Sequence, residues 1–120
     1  MAALRTQAEL AEAVLRELSV LDAEEVVPAE DESFVIEAYL AKFEELVAHG
    51  LELAYWNFDQ IPSAVFLTVR DLVINEIAGA YGEPMEPEVK SQRETVILKR
   101  LRRHTAVHSA GAPANRSVYF

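Results

Sequence analysis

A chain of 120 residues, 51% apolar and 26% charged, has the size of one domain and can bury a modest core. It contains no cysteine, which excludes disulfides, thiolate metal sites and a cysteine nucleophile and fits a reducing compartment. Its net charge of -9 is divided unevenly: residues 1–60 carry 14 acids and 3 bases, whereas residues 61–120 carry 6 acids and 8 bases. Such polarity suits head-to-tail contact between copies, or an oriented seat between two different partners, or no more than a solvated charged face on each helix. No apolar run approaches the roughly 20 residues needed to cross a bilayer. The opening Met1-Ala2-Ala3-Leu4-Arg5-Thr6 lacks the charged-then-apolar order of a signal peptide. The chain is therefore expected to be soluble, with no membrane partner.

Four helices are predicted in chain order. The first opens at Thr6, with Glu9 three residues on in a capping-box pattern, and Leu10, Val14, Leu18 and Leu21 follow at helical spacing. Residues 22–32 interrupt it with six acids and Pro28. The second helix starts near Pro28 or Glu30 and runs to His49, with Phe34, Ala38, Phe43, Leu46 and Val47 as its apolar stripe and Gly50 as terminator. Residues 51–61 read as a connecting loop pinned by aromatics. Trp56 and Phe58 are assigned to the core and Tyr55 lies beside them.

The third helix starts at Pro62, a favoured first-turn residue. Val65, Phe66, Val69, Leu72, Val73, Ile77 and Ala80 make it the most apolar helix, hence the central one, and Gly82 ends it. After the stiff linker Glu83-Pro84-Met85-Glu86-Pro87, the fourth helix runs from Pro87 to about His104. Val89, Val96, Ile97 and Leu101 are placed inward, and Lys90, Arg93, Lys99, Arg100, Arg102 and Arg103 on more polar positions. The expected fold is all-α, a small antiparallel bundle of about four helices over residues 1–108. An extended C-terminal arm follows over residues 109–120. Gly111 and Pro113 disfavour helix there, yet the arm finishes in Val118-Tyr119-Phe120, which is costly to leave in water. Terminal residues after such an arm seldom join their own core, so Tyr119 and Phe120 are expected to contact another molecule.

Catalytic chemistry finds little support. The four glycines, at 50, 79, 82 and 111, form no phosphate-binding loop, and Ser63 and Ser91 have no adjacent histidine base. Glu45 and His49, four residues apart, read as a surface pair. His104 and His108 share that spacing but straddle the expected end of the last helix. The acids of residues 22–32 lack the alternating ligands and central glycine of a calcium loop. No catalytic, cofactor or metal residue is assigned, and the chain is read as a non-enzyme. Lys99-Arg100-Leu101-Arg102-Arg103 is a basic helix end whose cations suit the helix dipole and subunit pairing better than direct DNA binding.

The order of these features resembles the head-to-tail connector, or tail accessory adaptor, proteins of tailed bacteriophages. The resemblance runs through Thr6-Gln7-Ala8-Glu9-Leu10 and Leu15-Arg16-Glu17-Leu18-Ser19-Val20 to an acidic spacer. It continues through Glu30-Asp31, Gly50, Tyr55-Trp56-Asn57-Phe58, Ile61-Pro62-Ser63-Ala64-Val65, Asn75-Glu76-Ile77-Ala78 and Tyr81-Gly82 to the final basic helix and its short tail. The resemblance implies a structural virion protein, assembled in the host cytoplasm and placed at the head-tail junction. Copies would form a ring, dodecameric in expectation, that docks on the portal protein. The ring would extend the DNA channel, pass DNA without reading its sequence, and seat the downstream tail or nozzle protein. Arg116, Val118, Tyr119 and Phe120 would touch the portal or a neighbouring subunit, and Lys99, Arg100, Arg102 and Arg103 would make inter-subunit charge contacts. A reading from another class is a small acidic regulatory module, of antitoxin or anti-activator type, that wraps a single partner.

Overall fold

The computed structural model describes residues 4–22, 24–48 and 56–110, the last six in backbone only. Its elements are β1 (Leu4–Arg5), α1 (Gln7–Glu17), α2 (Ala29–Ala48), β2 (Ile61–Pro62), α3 (Ser63–Ile77), a 3-10 turn (Ala78–Tyr81) and α4 (Pro87–Ala110). The fold is all-α, a small helical bundle, with one short two-stranded pairing.

The N-terminus of α1 is fixed locally. The Thr6 hydroxyl accepts from the Glu9 N–H at 3.1 Å, and the Glu9 carboxylate accepts from the Thr6 N–H at 3.0 Å, closing the expected capping box. Its C-terminus closes as a Schellman motif. The Ser19 N–H donates to the Arg16 carbonyl and the Val20 N–H to the Leu15 carbonyl, with Ser19 left-handed at φ 61°. Leu10, Ala11, Val14 and Leu15 are buried on one face.

α3 is the centre, packing against α1, α2 and α4. Val65, Phe66, Val69, Leu72, Val73 and Ile77 are buried as expected, and so are the polar Thr68 and Asn75. A helix buried over so much of its circumference must be surrounded. The backbone tightens into the 3-10 turn at Ala78, which leaves Ala80 exposed instead of inward. Gly82 then takes φ +83°, where an L side chain is strained.

Cross-links give the helix directions. Tyr81 bonds Asp31 while Glu76 meets Lys42, so α2 runs antiparallel to α3. Asn75 bonds the Lys90 carbonyl while Asp71 meets Arg100, so α4 does too.

Two apolar stripes differ from expectation. In α2 the buried set is Val35, Tyr39, Lys42 and the expected Leu46, while Phe34 and Val47, each next to a member of that set, are 40% and 55% exposed. In α4, Ile97 and Leu101 are buried, but Val89 and Val96 face outward at 39% and 58% exposure. α4 also continues through Ala110, beyond the expected end near His104, because Gly111 is the first helix-breaking residue after Pro87. Ser109 and Ala110 are thus helical rather than part of an extended arm.

The loop before β2 is pinned as expected by Trp56, which is 8% exposed. Its indole N–H donates to the Tyr39 hydroxyl at 3.1 Å, and that hydroxyl donates to the Phe58 carbonyl at 2.6 Å. Phe58 itself is not core. Its backbone is held while its ring stays 42% exposed. Asp59 accepts from the Gln7 N–H at 2.9 Å, capping α1 from the far side of the chain. That contact sits beside the antiparallel pairing of Leu4 with Pro62 and Arg5 with Ile61.

Candidate functional site

Two charged clusters flank α3, and a groove opens beside one of them. The first is built around Lys42, a lysine on the buried stripe of α2. Its ammonium lies 3.0 Å from Glu76 on α3, 2.9 Å from Glu94 on α4 and 3.4 Å from Glu45 one turn along. Lys90 completes the network at 3.1 Å from the other Glu76 oxygen. Burial acts to discharge Lys42, but the Glu94 and Glu76 carboxylates outweigh it and hold the ammonium well above the ordinary lysine range. Burial likewise pushes the Glu76 carboxyl up, and the Lys42 and Lys90 ammoniums outweigh it, leaving the group below its ordinary value. The cluster joins three helices at one level and so ties their register together.

The second cluster sits on the opposite side of α3. Arg70 reaches Glu17 at 3.6 Å and Asp71 at 3.0 Å, and Arg100 reaches Asp71 at 2.7 Å. Beside it the α3–α4 groove encloses about 530 Å³. Ile74, Val89, Val96 and Ile97 give it an apolar lining, and Arg93 and Arg100 stand at its edge. Asn75, 4% exposed, donates its amide N–H to the Lys90 carbonyl. Its Oδ1 has no hydrogen-bond partner among the described residues.

The basic residues expected to meet a neighbour divide. Lys99, Arg102 and Arg103 are exposed on the outer turns of α4, and none forms an ion pair among the described residues. Arg100 is committed to Asp71 within the same chain, although its side chain remains 40% exposed. Arg116, Val118, Tyr119 and Phe120 lie outside the described residues.

The weaker metal candidates are placed as follows. Glu45 turns toward Lys42, and its expected partner His49 lies outside the described residues. His104 and His108 lie within one continuous helix instead of straddling its end. No group of three His, Asp or Glu side chains suited to a metal occurs among the described residues. The acidic stretch is split, with Glu30, Asp31 and Glu32 forming the first turn of α2, where carboxylates suit the helix dipole. Among the described residues no helix is long and apolar enough to cross a membrane.

Sequence reasoning did not anticipate the Lys42 cluster. A buried lysine hides inside an apolar stripe, and its signal is a cation at an inward position facing acids on two other helices. Nor did it anticipate the groove, which exists because Val89 and Val96 face out. Comparison with family models, curated proteins and solved structures finds no match for this chain.

Proposed function

We propose that this chain is a structural assembly protein, a head-to-tail adaptor that forms a ring beneath the portal of a tailed bacteriophage. The observation that carries the reading is the opposition of unsatisfied surfaces on one small bundle. The outer turns of α4 present Lys99, Arg102 and Arg103, while the outer face of α2 presents Glu30, Glu37 and Glu44. None of these six charges forms an ion pair among the described residues. Opposite charges held apart on one rigid body favour contact between bodies. The feature order that resembles the connector family supports the same role.

In this function the basic stretch of α4, Lys99 to Arg103, meets an acidic surface of a neighbour or the portal. Arg116, Val118, Tyr119 and Phe120 dock on the portal or a neighbouring subunit. Folding of such a segment onto a partner delays its ordering cost until assembly. The ring passes DNA by shape and field, without base contacts, and seats the next tail component.

Co-sedimentation with isolated portal rings tests the role. The full chain should pellet with the rings, and deletion of residues 111–120 should abolish pelleting while leaving the helical circular dichroism spectrum intact. Undiminished binding by the shortened chain would remove the tail from the role. The regulatory alternative predicts instead a soluble one-to-one complex with a single partner and no affinity for portal rings.

A further inference from the structure

We propose that two copies of this chain join helix to helix: the outer face of α2 on one copy lies antiparallel along the α3–α4 groove lip of the next. The α2 face is a stripe of Phe34, Glu37, Ala41, Glu44 and Ala48, all exposed, spaced by three, four, three and four residues. These positions share one side of the helix, nearly opposite the buried Val35, Tyr39, Lys42 and Leu46. The α4 lip is a second stripe: Val89, Arg93, Val96, Arg100 and Arg103, spaced by four, three, four and three. The first four line the groove.

The two spacings match step for step only when one helix is reversed. In that register Ala48 faces Val89, Glu44 faces Arg93, Ala41 faces Val96, Glu37 faces Arg100 and Phe34 faces Arg103. Each opposition is favourable. Glu44 and Glu37 meet guanidiniums, whose forked donors suit carboxylates. Ala48 and Ala41 are small enough to let the helix axes approach and seat the two exposed valines. The Phe34 ring meets a cation. Arg100 can serve both sides, since only its Nη2 is engaged by Asp71 and a guanidinium carries five N–H donors. Glu37, Glu44, Arg93 and Arg103 form no ion pair within the described residues, so none must be released first.

The contact uses a different patch on each copy, so every bound copy leaves one face free for the next. The inference rests on the self-assembly in the proposed function, but needs no portal.

The absence of cysteine allows a direct test. Ala41→Cys and Val96→Cys chains, mixed and oxidised at low ionic strength, should give a disulfide-linked heterodimer, and so should Phe34→Cys with Arg103→Cys. Phe34→Cys with Val89→Cys, the pair a parallel contact would bring together, should not. Glu44→Arg placed on the Ala41→Cys chain should lower the 41–96 yield about tenfold, as should Arg93→Glu on the Val96→Cys chain. Both changes together should restore it, a rescue that loss of folding cannot mimic. Equal yields from the parallel pair, or a 41–96 yield indifferent to either reversal, would overturn the proposal. If the wild-type chain still forms rings on portals in that case, the assembly role survives on another face. If portal binding fails while the 41–96 rescue holds, the interface stands and the role falls.

Discussion

Lys42 holds three helices at a common level, and its removal separates two kinds of stabilisation. Lys42→Ala leaves Glu76 and Glu94 facing each other, 33% and 29% exposed, without their shared cation. The loss should be about 3 kcal/mol, at the low end for breaking a buried pair because water still reaches the acids. Lys42→Met combined with Glu76→Gln and Glu94→Gln should recover most of it, as read by urea unfolding. The network also fixes a pH dependence. Glu76 titrates below its ordinary range in the fold, so its contribution is complete above the unfolded value and disappears as pH falls through the lowered one. Tyr39 behaves oppositely. Burial first, then the Asp59 charge, pushes its hydroxyl up to about 12 against the lowering hydrogen bond from Trp56. Its contribution is complete below the ordinary tyrosine value of 10.0 and is lost as pH rises toward about 12. Tyr39→Phe should flatten that alkaline limb of the stability curve while weakening the fold at neutral pH. Ser19 offers a gain instead: at φ 61° it occupies a glycine position, and Ser19→Gly should raise stability by about 0.5–1 kcal/mol.

Among the elements, α1 and α3 are legible in the sequence and α2 and α4 are only half so, for one physical reason. α1 carries its own signals, since Thr6 and Glu9 cap each other without help from distant residues. α3 is apolar enough that no reading could turn it outward, and Leu72, 2% exposed, marks its centre. Leu72→Ala should cost about 2–5 kcal/mol, and an unchanged thermal melt would contradict the packing described for α3. In α2 and α4, charges occupy inward positions. Lys42 lies on the buried stripe of α2, and Lys90 and Glu94, one turn apart, take the α4 side that meets α2 and α3. Each charge finds its closest partner on another helix, so the hydrophobic pattern of a single helix misplaces Phe34, Val47, Val89 and Val96. Those misplaced residues form exposed faces. The pairing of β1 with β2 was equally hidden, because two-residue strands exist only once residues 4–5 and 61–62 have met.

For the whole molecule, the uneven charge legible in the sequence becomes a geometry: an acidic outer face on α2 and a basic stretch, Lys99 to Arg103, midway along α4, which continues to Ala110 and so does not end there as expected. Lys42, whose side chain is 10% exposed, is compensated within the bundle, whereas Glu30, Glu37, Glu44, Lys99, Arg102 and Arg103 face out and form no ion pair among the described residues. The proposed partners lie beyond a single copy, so the sequence bears on them through charge pattern and resemblance alone. Raising ionic strength should weaken association of copies without lowering the melting temperature comparably, because exposed pairs are screened more than buried ones. Sedimentation and calorimetry on the same samples would separate these effects. Electron microscopy of the full chain mixed with purified portal rings tests the central claim most directly. A ring of added density coaxial with the portal, on the face where a tail would join, is the predicted result. Bare portals beside a saturating excess of the chain would contradict it.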